Sequence, residues 1–445
     1  MLLSIRMNSF SKKQLLDECE KLGIVKCYSK TKKQLIELIG DKSKPIDKPI
    51  SKDVAFKFID LFCGIGGFHQ ALKRLNGHCV FASDIDEQCR NTYEMNYGIK
   101  PSGDITKINP TDIPDFDVLT GGFPCQSFSN SGKKKGLSDE RGKLFESILA
   151  IAQVKHPSYM FLENVKHIKK IDNGTVFDHI LNRINESGYH VDTCELSPHQ
   201  LGIPQQRERV IFICIRNDIY SPSIPVVIGV PNTKIDIDSI IEKDKTKLMP
   251  YHIPPELENV LEIWDEMVRH FDVGQSMSPV IMCNEFNSEY TEKEFKSLPK
   301  WKQEYITKNK PIYNKYKDKW DEWCDINKDQ LTRREIYGKL EWQAGPKLPD
   351  DSIFNHFIQF RQSGIRVKKS KYFPTLVAIV QTPIYAKERR YITPRECARL
   401  QSFPESFILH EKDNVAYKQF GNAVNVDVVH YVMNIVLNLY NFKFN

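Results

Sequence analysis

The chain has 445 residues, 40% of them hydrophobic and 27% charged, which allows two or three domains with separate cores and excludes a disordered or fibrous chain. No apolar run is long enough to cross a membrane, and the first residues lack a secretory apolar segment, so a cytoplasmic protein is expected. Eleven cysteines occur singly with no CxxC pair, and the net charge is +6; this argues against a disulfide framework or zinc cluster and is compatible with a nucleic-acid partner without requiring one.

Residues 1–40 read as a small helical module. Ser11-Lys12-Lys13-Gln14 and Thr31-Lys32-Lys33-Gln34 are both S/T-x-x-Q capping boxes, in which side chains satisfy the orphan N–H groups of a helix start. Apolar residues at helical spacing follow each box, and glycine closes each run at Gly23 and Gly40. The helix-extension-helix pattern resembles SAP-type DNA-binding modules, whose exposed lysines would meet phosphate; a protein-docking hairpin fits the same pattern. Residues 41–53, with two prolines and many charges, form a linker.

Val54 to Leu61 is an apolar run of strand length, and similar runs recur at Cys79–Ser83, Phe116–Thr120, Tyr159–Glu163 and Val210–Ile215. Helix-like segments or turns separate them, which predicts an α/β domain with a parallel, doubly wound, Rossmann-like sheet over residues 54–220. Residues 221–385 lose this alternation and become rich in Lys and aromatics, with a charged helix from Glu292 to Asp329; they read as a smaller second domain. Residues 386–445 return to helical periodicity.

Chemistry-bearing residues gather at the ends of the predicted strands. Phe62-Cys63-Gly64-Ile65-Gly66-Gly67 follows the first strand, and glycines there let backbone approach a ligand. Asp84 ends the next strand 20 residues after Gly64, where an acidic side chain accepts from ribose hydroxyls in doubly wound folds. Asp104 in Gly103-Asp104-Ile105 could accept from an adenine amine. Together they predict a nucleoside-containing ligand, although the glycine cluster alone could be a structural turn. Gly121-Gly122-Phe123-Pro124-Cys125-Gln126 follows the third strand, putting a thiol at a carboxyl end, where open sheets bind ligands. A polar, basic segment follows from Ser127 to Glu140, so Cys125 reads as a nucleophile beside a closing loop rather than a core cysteine. Glu163 closes the fourth run, where a half-buried carboxyl can act as an acid. Arg207 and Arg209, two apart before the last run, would point the same way and suit an anion or a polarised carbonyl.

In combination, DLFCGIGGF, SDID, GDI, GGFPCQSFS, RGKLF, ENV, QQRERV, TPRECARLQSFP and FGNAV resemble the DNA cytosine-5 methyltransferase family in order and spacing. The matches cover roughly residues 54–220 and 386–435, and Thr375-Leu376 resembles a Thr-Leu pair of the family's target-recognition domains. The resemblance implies a methyltransferase using S-adenosylmethionine, with Cys125 attacking cytosine C6, Glu163 acting at N3, and Arg209 with Arg207 holding the O2 carbonyl. The base would be flipped from duplex DNA, and the loop carrying Ser131 would close over it. For the cofactor it implies Phe62 and Ile85 at the adenine, Asp84 on the ribose and Asp104 on the amine. Gly64, Ile65, Gly66, Ile105, Pro124, Leu144, Asn422 and Val424 would complete that pocket, and the last helix would return to the first domain. This sequence departs from the family with Cys63 for the common Ala, Asp84 for Glu, Ile85 for an aromatic and Ser402 for Gly.

Base reading is expected from the target-recognition region, with Arg361 and Arg366 as candidates because Arg pairs with guanine in the major groove, and the Thr-Leu resemblance adds Thr375 as a DNA-binding candidate. The expected partner is double-stranded DNA, with a monomeric enzyme acting apart from any cognate restriction endonuclease, and with no metal and no membrane. A tRNA methyltransferase of the same family would share this chemistry, and a non-catalytic DNA-binding relative would have lost it. A nicotinamide-dependent oxidoreductase would use only the glycine turn.

Overall fold

The computed structural model describes residues 11–21, 31–35, 56–124, 142–231, 233–277, 280–283, 289–379 and 381–441. The chain divides into two units, residues 1–55 and 56–445, each described by itself. In the first, helix α1 (Lys12–Lys21) starts at the Ser11 box. Ser11 N donates to Gln14 Oε1 at 2.8 Å and Gln14 N to Ser11 Oγ at 3.3 Å. The Thr31 box repeats this reciprocity with Gln34 at 2.9 and 3.3 Å, and Leu15 and Leu35 are buried.

Six strands build the first sheet of the second unit: β1 (Phe56–Leu61), β2 (Gly77–Ser83), β3 (Val118–Gly121), β4 (Tyr159–Val165), β5 (Tyr189–Leu196) and β6 (Arg209–Arg216). Their spatial order is β2-β1-β3-β4-β6-β5. Strands β1 to β4 are parallel, and near-continuous burial of β1, β3 and β4 reflects cover on both faces. The sheet is mixed, however, rather than parallel throughout: β6 runs antiparallel to both neighbours. Strand β5 ends beside the start of β6, with Leu196 opposite Arg209, so the intervening segment turns at the same edge where β1 to β4 end.

Helices α2 (Gly67–Lys73), α3 (Glu87–Tyr97), α4 (Gly142–Lys155) and α5 (Thr175–Glu186) connect these strands. Asp86 caps α3 by accepting from Gln88 N and Cys89 N, and Gly98 ends it in the left-handed region.

The second sheet contains β7 (Ile281–Met282), β8 (Lys339–Gln343), β9 (Phe357–Arg361), β10 (Gly364–Lys368), β11 (Ile384–Tyr385) and β12 (Arg390–Tyr391). It therefore extends past residue 385. Helices α6 (Pro255–His270), α7 (Glu292–Ser297) and α8 (Lys300–Thr332) belong to this lobe. The ring centroids of Trp264, Trp320 and Trp323 lie 5.0–6.1 Å apart at its core, each pair contributing ~0.5–1.5 kcal/mol beyond area burial.

Helices α9 (Pro394–Leu400), α10 (Asp413–Asn422) and α11 (Val426–Leu439) follow. Helix α9 opens on a Thr393–Glu396 capping box with Pro394 in its first turn. Buried Arg390 grips Glu396 through two bonds of 2.8 Å. Helix α11 packs on α2, and Arg74 meets Asp427 at 2.5 Å. Thus the last helix lies on the first sheet's lobe.

Candidate active site

Strand register explains why residues far apart in sequence meet. Leu61 is level with Ser83 on one side and Gly121 on the other, and Gly121 is level with Leu162. The next residue of each strand is Phe62, Asp84, Gly122 and Glu163. These four form a row along the carboxyl edge of the sheet, where a doubly wound fold exposes its loops. Arg209 joins them because β6 is reversed and begins at that edge, with Arg209 opposite Val165.

At one end of the row the backbone makes a cradle. Phe62, Gly64 and Gly66 have φ of 53°, 52° and 84°, a left-handed conformation that glycine adopts without steric cost. A Cβ on Gly66 would strike Tyr97, at 2.6 Å from its Oη, whereas one on Gly64 would meet nothing within 4 Å. The Tyr97 hydroxyl donates toward the carbonyls of Ile65 and Gly66 at 3.1 and 3.0 Å, and Ile65 is buried. Asp84 closes the cradle: its Oδ2 accepts from Gly64 N and its Oδ1 from Asp86 N, both at 2.8 Å. Burial raises the Asp84 pKa above its ordinary value, and the two amide bonds counter this.

Ser83 and Ser102 form an isolated parallel bridge, with Asp84 N donating to Ser102 O at 3.0 Å. This bridge brings the Asp104 loop beside Asp84. Asp104 Oδ1 is occupied by Thr106 N and Oγ1 at 3.0 and 2.7 Å, and these bonds hold its pKa below the ordinary value. Ile105 is buried beneath it, whereas Ile85 is 78% exposed. Phe62 and Leu144 join the same apolar cluster, and Pro124 is exposed. An exposed Ile beside a carboxylate, with open space at Gly64, fits the apolar and hydroxyl-bearing faces of an adenosine group.

At the other end, Glu163 Oε1 lies 2.7 Å from Arg209 Nε, with both side chains largely buried. That oxygen lacks a well-directed hydrogen bond, so the contact is an ion pair rather than an aligned bond. Glu163 Oε2 lies on the Gly122 side, 3.7 Å from where a Cβ there would stand. Val424 packs against Gly67 and Gly122 and lines a small cavity with Glu163, Arg207 and Arg209. Asn422 is exposed at the last turn of α10. Lys418 reaches Asp86 at 2.8 Å, and Gln419 reaches Gln88 O and Thr92 Oγ1 at 3.0 and 2.9 Å. These contacts fasten α10 to α3 and its cap beside Asp84.

Cys125 and Ser131 lie outside the described residues. Other site residues are placed differently from the sequence reading. Arg207 is 3% exposed and does not offer a free guanidinium to a substrate carbonyl. Its Nη1 donates to Leu376 O at 2.7 Å, and its Nη2 to Gly421 O and Ala423 O at 3.0 and 2.9 Å. Burial and neighbouring Arg209 pull its pKa well below the ordinary value, while three carbonyl acceptors oppose that desolvation. Arg366 faces Glu341 across β10 and β8 and is held by two 2.7 Å bonds; this cross-strand pair replaces the free base reader expected there. Thr375 Oγ1 donates to Gln206 O at 2.5 Å, and Arg361 is half-buried at the end of β9.

Asn164 is a site residue for which the sequence suggested no role. Its Nδ2 donates to Phe123 O at 3.0 Å, fixing the loop that leads to Pro124. The signal was its place in ENV, beside a carboxylate at a strand end.

A glycine cradle closed by a carboxylate and an acid–arginine pair stand on one mixed α/β edge, an arrangement compatible with a methyltransferase. Comparisons with known proteins agree. A family model described as C-5 cytosine-specific DNA methylase matches residues 56–438. Type II methyltransferase M.HhaI of Haemophilus parahaemolyticus is 31% identical over 387 residues, covering 87% of this chain and 96% of the relative. M.HpaII of Haemophilus parainfluenzae is 32% identical over 385 residues, covering 84% and 87%. Among solved structures, Entamoeba histolytica methyltransferase EhMeth matches with a TM-score of 0.51 at 18% identity, covering 87% of this chain and 98% of that one, a likeness of fold. The chain belongs to the C-5 cytosine-specific DNA methylase family and is a DNA cytosine-C5 methyltransferase with S-adenosylmethionine as methyl donor.

Proposed function

We propose that the protein methylates a cytosine within a specific duplex sequence, acting in the cytoplasm as a monomeric modification enzyme apart from any cognate endonuclease. The observation that carries this reading is the edge row Phe62, Asp84, Gly122 and Glu163, completed by Arg209. In this reading the glycine and Asp84 end of the row would cradle the cofactor, and the Glu163–Arg209 end would polarise the base. The names of the curated relatives, type II methyltransferases, favour this role over a tRNA enzyme.

Phe62, Ile85, Asp84 and Asp104 would hold the adenosine part, with Gly64, Ile65, Gly66, Ile105, Pro124, Leu144, Asn422 and Val424 around it. Bound S-adenosylmethionine supplies an electrophilic methyl group. Cytosine C5 is a weak nucleophile, so the Cys125 thiolate first adds to C6, moving electron density to C5 as an enamine. Glu163 shares a proton with N3, and Arg209 holds Glu163 in place while donating to the O2 oxygen. With the methyl group on C5 and S-adenosylhomocysteine left behind, the C5 proton passes to a water molecule, and its electron pair re-forms the C5–C6 double bond as the sulfur–C6 bond breaks and returns the Cys125 thiolate. A stacked base cannot be reached in this way, so the target is flipped out, with Ser131 in the segment that closes over it. The N-terminal unit would add phosphate contacts through its lysines.

Bisulfite sequencing of plasmid DNA from expressing cells tests the activity, and a 5-fluorocytosine duplex tests the covalent step. Methylation at one recurrent sequence and a trapped adduct absent from Cys125→Ser are expected. Full methylation by Cys125→Ser would refute the nucleophile.

A further inference from the structure

The segment 373–378 of the second lobe is tied to the segment 204–207 by main-chain and side-chain bonds in succession. Phe373 N donates to Pro204 O at 2.7 Å, and Gln206 N donates to Phe373 O at 3.3 Å. Gln205 and Phe373 form a parallel bridge. Thr375 Oγ1 then bonds Gln206 O, and Arg207 Nη1 bonds Leu376 O. Arg207 Nη2 turns the other way to Gly421 O and Ala423 O. The Gly421 backbone in turn abuts the same segment: a Cβ there would lie 2.5 Å from Val377 O and 2.6 Å from Ala378 N. Just beyond, Val377 is 36% and Ile379 62% exposed.

From this we infer that Arg207 is a positioning residue that sets the DNA-facing segment 375–379 against the catalytic edge, and so governs sequence discrimination. One guanidinium bridges three elements: the segment entering β6, the segment carrying Thr375 and the residues leading to Val424. Two residues along the same chain, Arg209 pairs with Glu163. A shift of segment 375–379 is therefore felt at the catalytic pair through Arg207, and only a planar fork with several donors can span these carbonyls. The inference rests on the function proposed above, with Thr375-Leu376, which resembles a Thr-Leu pair of the family's target-recognition domains, taken to lie in a segment that faces DNA.

The experiment measures methylation of an oligonucleotide duplex carrying the sequence that bisulfite mapping identifies for the parent, beside duplexes with one base pair changed. Arg207→Lys keeps the charge but not the fork, and Thr375→Val removes one tie without altering size or charge. Expected for Arg207→Lys is a rise of about tenfold in the near-cognate to cognate rate ratio, given that a mismatch normally costs roughly 10–100-fold. KM for DNA should rise more than kcat falls, with S-adenosylhomocysteine affinity within about twofold of the parent. Thr375→Val should move the ratio in the same direction by a smaller factor. An unchanged ratio with a large fall in kcat would assign Arg207 to the reacting base and overturn the inference. An unchanged ratio with lost cofactor affinity would reduce Arg207 to a structural brace and overturn it equally. Should Arg207→Lys fail to fold, an unchanged ratio in Thr375→Val refutes the proposal. A parent without any sequence preference would instead refute the function proposed above.

Discussion

The substitution Asp84→Asn separates cofactor recognition from loop stability. The Asp84 carboxylate accepts from Gly64 N and Asp86 N at 2.8 Å each, and its remaining lone pairs are those assigned to the ribose hydroxyls. An amide of the same shape has one oxygen. It can satisfy one N–H while turning its own donor toward the other, or toward the ribose. A hydrogen bond to a charged group contributes ~1.5–3 kcal/mol net, so losing the ribose contact should weaken S-adenosylhomocysteine binding about 10–150-fold.

The ligand-free protein should respond much less. Losing one amide acceptor costs ~1–3 kcal/mol, but a buried charge is removed as well, and burial already disfavours that charge in the folded state. The two effects oppose each other, leaving a melting temperature within about 4 °C of the parent. Calorimetric titration with S-adenosylhomocysteine and thermal unfolding of Asp84→Asn read the two quantities separately. Unchanged affinity, or a melting temperature far below the parent with little further loss of binding, would make Asp84 a loop cap and sink the assignment.

Because burial raises the Asp84 pKa, cofactor affinity of the parent should fall on mild acidification, before an ordinary aspartate would protonate, and Asp84→Asn should lose that dependence; parallel titration curves for the two proteins would refute this. The sign for stability is opposite: the folded state takes up this proton at higher pH than the unfolded chain, so this group's contribution rises as pH falls through the raised pKa. Ser402 has a φ of 60° where the family commonly has glycine, so Ser402→Gly should relieve left-handed strain and stabilise by roughly 0.5–1 kcal/mol after the entropic cost of glycine. A lower melting temperature would show instead that the 3.2 Å contact from Asn425 Nδ2 to Ser402 Oγ outweighs the strain. Gly67→Ala puts a Cβ 2.5 Å from Val424 Cγ2 and 2.7 Å from Val424 O, and overpacking of ~1–3 kcal/mol should exceed the ~1 kcal/mol helix-propensity gain. Both the melting temperature and S-adenosylhomocysteine affinity should drop, and a stabilised variant would contradict the close packing of Val424 on α2.

Residues whose placement follows from a strand end were legible in sequence. Phe62, Asp84 and Glu163 each follow an apolar run, and burial of that run fixes where its carboxyl end emerges. The two S/T-x-x-Q boxes were legible for a related reason: their bonds join residues three apart. Strand β5 escaped because its sequence, YHVDTCEL, alternates polar and apolar at an edge of the sheet, while apolar runs were the signal sought. Without β5 the reversal of β6 could not be foreseen, since antiparallel direction follows from the β5 pairing and the turn before Arg209.

The arginines show where local reading stops. Arg207 and Arg209 differ by two positions and share a motif, yet one meets a carboxylate and the other three carbonyls. Those carbonyls belong to Leu376, Gly421 and Ala423, separated from Arg207 by 169, 214 and 216 residues. Arg366 likewise depends on Glu341 being level with it on a neighbouring strand. Nor do the side chains at the receiving end advertise the contact, because Phe373, Leu376, Gly421 and Ala423 offer only main-chain atoms to these ties. A main-chain acceptor survives most side-chain substitutions, provided the backbone can keep its path. If the segment 375–379 faces DNA as proposed, its side chains other than Thr375 can therefore change without loosening it from Arg207, whose bond is to Leu376 O. Gly421 and Thr375 are exceptions, the first because any Cβ there meets the backbone of Val377 and Ala378, the second because its hydroxyl is itself one of the ties, so side-chain identity matters at these two positions for a reason unrelated to contact with DNA.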